Sequence, residues 1–220
     1  MPKNKLPRKS THIDMTAMCD VAFLLLTFFM LATKFKPDEP VIVTTPSSIS
    51  QIPIPENSIL LTMDPKGQVF FGYDNKDAKA VMIKDMNESR NLGLTAADQQ
   101  EFVIGASYGG SLSQLKDYLA LDPFEKKKFP FTGVPINDSS TDLNYNELVY
   151  WVQSARSAGD NIGKTPRISI KADSKTPYPK VKKVLDILVD NEIDRFNLIT
   201  SAEAIPSGTA AYEDQNGTDG

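Results

Sequence analysis

Apolar and polar positions change rhythm along the chain, and each change marks an element. Residues 15–33, MTAMCDVAFLLLTFFMLAT, form an apolar run interrupted by one charge, Asp20. The run is long enough to cross a bilayer as a single helix. Residues 34–57 then carry Pro37, Pro40, Pro46, Pro53 and Pro55. Proline fixes φ and removes an amide donor, so this stretch reads as an extended tether and not a helix. Within it, Val41-Ile42-Val43-Thr44-Thr45 is a β-prone run stopped by Pro46. It is open to two readings, a strand that adds to a sheet edge in this subunit or another, and a flexible linker.

Past the tether the pattern is that of a small α/β domain. Residues 58–63 and 68–73 flank Asp64-Pro65-Lys66-Gly67, whose Pro and Gly suit a type I turn, which predicts a hairpin. Asn144 with Glu147 offers a capping box, Tyr145, Leu148, Val149, Val152 and Ala155 line one helical face, and Gly159 suits the position just past the helix end. Residues 167–171 read as a strand. The helix predicted over 178–190 buries Val181, Val184, Leu185, Leu188 and Val189, and residues 196–200 close a strand–helix–strand unit whose strands should be parallel. The expected fold is a two-layer α/β sandwich, with helices on one face of a small mixed sheet.

Residues 75–141 have a different pattern. Helical spacing runs over 77–89, again after Thr95 to about Ile104, and a third time after Ser111, where Leu112, Leu115 and Leu119 share a side and Asp122-Pro123 ends the helix. A stretch of this length with its own apolar positions reads as a folded, largely helical insertion. Gly105, Gly109 and Gly110 lack the Gly-Lys-Ser/Thr sequel of a phosphate loop. Lys126-Lys127-Lys128 reads as a solvated loop, and residues 205–220, small and acidic, as a disordered tail.

Composition narrows the chemistry. The net charge is −4, so no domain-scale basic surface is available for nucleic acid. The single histidine, His12, excludes a His-pair zinc motif and weighs against Ser-His or Cys-His catalysis. The single cysteine, Cys19, lies in the apolar run and can form no intramolecular disulfide. No catalytic group, metal site or cofactor motif stands out, so an enzyme is the least favoured class. Lys3, Lys5, Arg8 and Lys9 precede the run with no acid among them, which places residues 1–12 in the cytoplasm and exports everything after the span.

Asp20 is then the leading functional candidate. A carboxylate within a spanning helix costs about 2.5–3.5 kcal/mol on insertion scales, so such residues face a cavity, a partner or an ion path. At about 1.5 Å per residue it sits roughly 8 Å into the span, too deep for so short a side chain to snorkel easily. Thr16 and Thr27 share its face and make a narrow polar stripe. The competing readings are a plain signal anchor and, given Leu31-Ala32-Thr33, a cleaved signal peptide. The length of the run and its internal Asp weigh against cleavage.

The segment Ile13-Asp14-Met15-Thr16-Ala17-Met18-Cys19-Asp20-Val21, followed by Phe23-Leu24-Leu25-Leu26-Thr27-Phe28-Phe29-Met30, resembles the signature of the ExbD/TolR family. These are single-span subunits of proton-driven inner-membrane motors. Ala17 stands where the family usually has Pro, and Asp14 where it usually has Asn. Ile168-Ser169-Ile170-Lys171-Ala172-Asp173, with the helix and strand after it, resembles the end of the family's periplasmic domain. The resemblance covers residues 10–74 and 142–204. It implies a transmembrane helix over 13–33, a periplasmic domain over 58–204 with the 75–141 insertion, and Asp20 as the proton-carrying residue.

It further implies a multi-span ExbB/TolQ-like partner around a homodimer of this subunit, and a TonB- or TolA-like protein that receives the motion. Removal from water favours the neutral form of a carboxyl, which lets it load a proton on one side and release it on the other. One charge crossing the membrane gains about 2.3 kcal/mol per 100 mV, and each pH unit adds about 1.4 kcal/mol. Two alternatives remain: a MotB-like stator subunit, disfavoured by the C-terminal pattern, and a membrane-anchored periplasmic binding module without ion transport.

Overall fold

A computed structural model describes residues 15–32, 39–48, 55–136 and 146–202. The basic N-terminus, Asn144, Tyr145 and the tail from 205 onward lie outside them. The chain divides into two compact units, residues 1–36 and 37–220. The first holds one continuous helix, α1 (Met15–Ala32), which buries none of its residues and is long and apolar enough to span a membrane.

The second unit runs β1 (Ser47–Ser48), β2 (Ser58–Met63), β3 (Val69–Tyr73), α2 (Lys76–Arg90), α3 (Ala96–Ile104), β4 (Ser107–Tyr108), α4 (Leu112–Ala120), α5 (Pro123–Lys126), α6 (Glu147–Asn161), β5 (Arg167–Ala172), α7 (Tyr178–Asp190), β6 (Phe196–Ile199) and β7 (Ser201–Ala202). Five strands form a mixed sheet in the order β4-β3-β2-β5-β6. The β2–β3 hairpin is antiparallel, and its turn closes as predicted, with Gly67 N donating to Asp64 O at 2.9 Å. β5 is parallel to both β2 and β6, so the strand–helix–strand unit forms as the pattern implied.

One face of this sheet meets the helices. Ile59, Leu61 and Met63 of β2, Val69, Phe71 and Tyr73 of β3, and Ile168 and Ile170 of β5 share a core with Met82 and Ile83 of α2, Trp151 and Val152 of α6, and Val184 and Leu188 of α7. The alternation in the strands follows from their period of two. Trp151 is fully buried, its ring centroid 5.1 Å from that of Phe71, 5.7 Å from Phe102 and 5.8 Å from Tyr108. Burying a side chain of this size contributes roughly 3 kcal/mol.

Residues 76–126 are integral to that core. β4 pairs with β3 at Phe71–Tyr108 and forms the sheet edge, and Ala78, Met82, Ile83, Met86, Phe102, Tyr108 and Leu115 are all in the core cluster. The helix starts are capped by side chains, at Thr95 as the sequence signalled and at Asn75 without having been singled out. Asn75 caps α2 by accepting from Ala78 N, and Thr95 with Asp98 forms a complete capping box on α3.

Two local expectations need correction, and a third is extended. α6 begins after Asn146, so Glu147 is its first residue and not its third, while the Asn144 half of the predicted box lies outside the described residues; the Glu147 carboxylate accepts the Leu112 N–H at 2.7 Å, tying α6 to the start of α4. Gly159 lies inside α6 and does not end it. A Cβ there would come within 2.6 Å of Lys164 O and Pro166 Cδ, so the missing side chain permits a close crossing, while the left-handed glycine after the helix is Gly163 at φ 71°. Asp122-Pro123 both ends α4 and opens α5, Asp122 accepting from Phe124 N and Glu125 N.

Candidate functional site

The stripe singled out from the sequence lies on α1. At 100° per residue Thr16, Asp20 and Thr27 fall within an arc of about 40°. The Thr27 hydroxyl donates to Leu24 O at 2.9 Å, so it is satisfied within its own helix, as apolar surroundings require. Asp20 has no such local solution. It is exposed, and no hydrogen bond or ion pair to it occurs among the described residues. Cys19 beside it is likewise exposed and free. A bare carboxylate on a helix otherwise made of Leu, Phe, Met and Ala is an arrangement that only a partner or water can complete.

In the second unit the Val41–Thr45 run takes neither of the forms expected for it. It is not a strand, yet it is docked: Val43 is 8% exposed while Ile42 is 93% exposed. The anchor is Asp173, in the turn after β5. One of its oxygens accepts the Thr44 N–H at 2.8 Å and the other the Lys175 N–H at 2.9 Å. Ser174 N donates back to Thr44 O at 2.8 Å, and Lys171 approaches Glu39 at 3.8 Å. These amides, Lys175 first and Thr44 second, hold the Asp173 carboxyl below the usual carboxylate range. The strand pairing falls a few residues later, where β1 runs parallel to β7 through Ser47–Ser201 and Ser48–Ala202. The Ala-Asp pair carried part of the family resemblance, but its backbone partner lies 129 residues away and has no local signal.

The match to a family model covers residues 7–203, described as biopolymer transport protein ExbD/TolR. The chain belongs to the ExbD/TolR family. No match was found among curated proteins or solved structures. As a family member it is a membrane-anchored protein with a broad role in energy transduction for biopolymer transport, in a family that is not enzymatic.

Other chemistry is sparse. No group of three or more His, Cys, Asp or Glu residues suited to a metal ion occurs among the described residues. The glycines after α3 serve packing: a Cβ at Gly109 would overlap the Phe70 ring, and one at Gly110 would lie 2.7 Å from Tyr108 Oη. Lys79 of α2 was not singled out from the sequence. It is 3% exposed, its Nζ donates to Gly105 O at 2.5 Å at the end of α3, and it lies 5.0 Å over the Phe102 ring. Burial above all, with help from Lys76 and against Asp74, lowers its pKa to about 8.

Proposed function

We propose that this protein is a proton-carrying motor subunit of an ExbD/TolR-type complex. Asp20 takes up and releases the proton inside a multi-span ExbB/TolQ-like partner, and the exported domain passes the resulting motion to a TonB- or TolA-like protein. The observation that carries this reading is Asp20 itself, the single charge in α1, placed on an exposed face of the helix in a chain of this family. A carboxylate in lipid is costly, and a lone span supplies nothing to shield it, so the shield is another protein. Thr16 and Thr27 flank it as supporting polar groups on the same face.

The layout proposed is a cytoplasmic N-terminus over 1–12, a span over 13–33, a tether over 34–57 and a periplasmic domain over 58–204, within which 75–141 elaborates the family frame. The protein sits in the bacterial inner membrane as a homodimer. The basic residues before the span support this orientation. A MotB-like role finds no support in the mixed five-stranded domain or in the family match. Extraction of the chain in mild detergent should co-purify a multi-span membrane protein at stoichiometric levels. Recovery of the chain alone from membranes where it is active would contradict the motor reading and favour an anchored binding module.

A further inference from the structure

The five-stranded sheet has two edges, and they are built differently. β4 is two residues long, and its Tyr108 is buried. β6 is Phe196-Asn197-Leu198-Ile199, with no charge, proline or glycine among the four and none of them buried. Natural sheets blunt an open edge with a very short strand, a charge, a proline or a covering element. Shortness protects β4, whereas β6 carries no charge or proline of its own. The ladder to β5, from Ile168–Phe196 to Lys171–Ile199, occupies one side of the strand. Among the described residues no hydrogen bond reaches β6 from the other side.

An apolar flank borders that edge. Leu198 pairs with Ile170, so it points to the helix-covered face of the sheet, yet it is more than half exposed. α7 continues the surface. Its Lys180 stem lies against the β2–β3 turn, where a Cβ at Gly67 would come within 2.9 Å of Lys180 Cγ. Tyr178, Leu185 and Val189 lie about 140–180° round the helix from Lys180, on the flank turned away from β2 and toward the β6 side of the sheet. Tyr178 and Val189 are each more than half exposed, and Leu185 is partly so.

The size of this surface decides what fits it. Four strand residues span about 13 Å. A stable interface between two folded surfaces uses roughly 20–30 residues a side, far more than this edge and flank supply. A short extended segment needs no more than they supply, because its backbone bonds the outer side of β6 while every second side chain lies against the flank.

We propose that β6 and the adjoining flank of α7 are the docking site for an extended segment of a partner protein, which joins the sheet as a sixth strand with apolar residues at alternate positions. This rests on the reading of the exported domain as the part that hands motion to a TonB- or TolA-like protein, and it says where that protein holds on.

The test uses the full chain in phosphatidylcholine nanodiscs, ¹⁵N-labelled and ¹³C-labelled at Ile, Leu and Val methyls. The probe is a peptide of alternating valine and threonine with a lysine at each end. Its control is the same peptide N-methylated at every interior residue, which cannot donate to a strand. Saturable shifts are expected at the β6 amides and at the Leu185, Val189 and Leu198 methyls, with Ile42 and Ile104 unmoved and the methylated peptide silent. Val189→Lys/Leu198→Lys changes only exposed side chains and should weaken binding about tenfold or more. In a deletion strain that variant should reach normal membrane levels with energised function lost. Shifts that are absent or do not saturate, that spread to Ile42 and Ile104, that the methylated peptide reproduces, or that survive the double substitution would overturn the proposal. So would full activity of the variant, or β6 shifts that arise from chain concentration alone, which would assign the edge to a second copy. None of these outcomes involves Asp20, whose own substitution tests the motor reading independently.

Discussion

At Asp173 a single carboxylate fastens the tether to the domain through the Thr44 and Lys175 amides. A carboxyl held below its unfolded value contributes stability above that value and loses it as pH falls through the lower, folded one. Docking should therefore be intact at neutral pH and released in acid below about pH 4. Asp173→Ala should release it at any pH. By hydrogen exchange, the Thr44 amide should lose its protection in this variant while Ile170, in the middle of β5, keeps its own; retained protection at Thr44 would mean that Val43 and the β1–β7 pairing suffice. Lys79 also makes stability rise with pH, in a higher window and for a different reason, the burial of a charge. Its pKa of about 8, below the ordinary 10.5, means that the unfolded chain binds more protons between those values. The cost of the buried ammonium is complete below pH 8 and is relieved as pH rises toward 10.5, by about 3 kcal/mol in all. Denaturant unfolding of the second unit should show stability rising over that window, and Lys79→Met should flatten the rise. Neither residue's role is written in its neighbourhood, since each depends on a backbone group that only the fold brings near.

Among the elements, those with strong periodicity or turn chemistry were legible: α1, the β2–β3 hairpin, α2, α3, α4, α7 and the parallel β5–β6 pair. The boundaries were less so. In α6 the apolar face is readable from Leu148, Val149, Val152 and Ala155, but Gly159 reads as a stop because glycine commonly follows a helix. Its actual reason is the crossing with Lys164 and Pro166, a tertiary contact with no local signature. This sets two effects against each other in Gly159→Ala. Helix propensity favours alanine by up to about 1 kcal/mol. The new methyl, however, would sit 2.6 Å from a backbone carbonyl and 2.8 Å from Tyr73 Oη, and overpacking of this kind costs roughly 1–3 kcal/mol. Because a backbone oxygen yields little, the variant should be less stable by about 1–2 kcal/mol, read as a lower denaturant midpoint. A higher midpoint would show that the crossing relaxes. The Val41–Thr45 run departs from expectation for a related reason: β-propensity is present, but the ladder with β7 forms at Ser47 and Ser48, opposite Ser201 and Ala202.

For the whole molecule, the family was legible from two short motifs at either end of the chain, and the fold class from the order of its elements. What the sequence concealed was how far residues 76–126 enter the core, supplying the edge strand β4 and the aromatic neighbours of Trp151. Apolar positions alone said that this stretch folds, not onto what. The proposed function rests on one side chain in the other unit. Asp20→Asn keeps the size and polarity of the residue and removes the exchangeable proton, so insertion and abundance should survive while energised function is lost. Thr27→Val should weaken function less, because that hydroxyl already bonds Leu24 O within the helix. A plain anchor predicts the reverse, an asparagine that is harmless or that inserts more readily than a carboxylate. The decisive measurement is complementation of a deletion strain by the Asp20→Asn chain, with its membrane level quantified alongside. The account predicts normal abundance with no energised activity; full activity at normal abundance would contradict a proton-carrying Asp20.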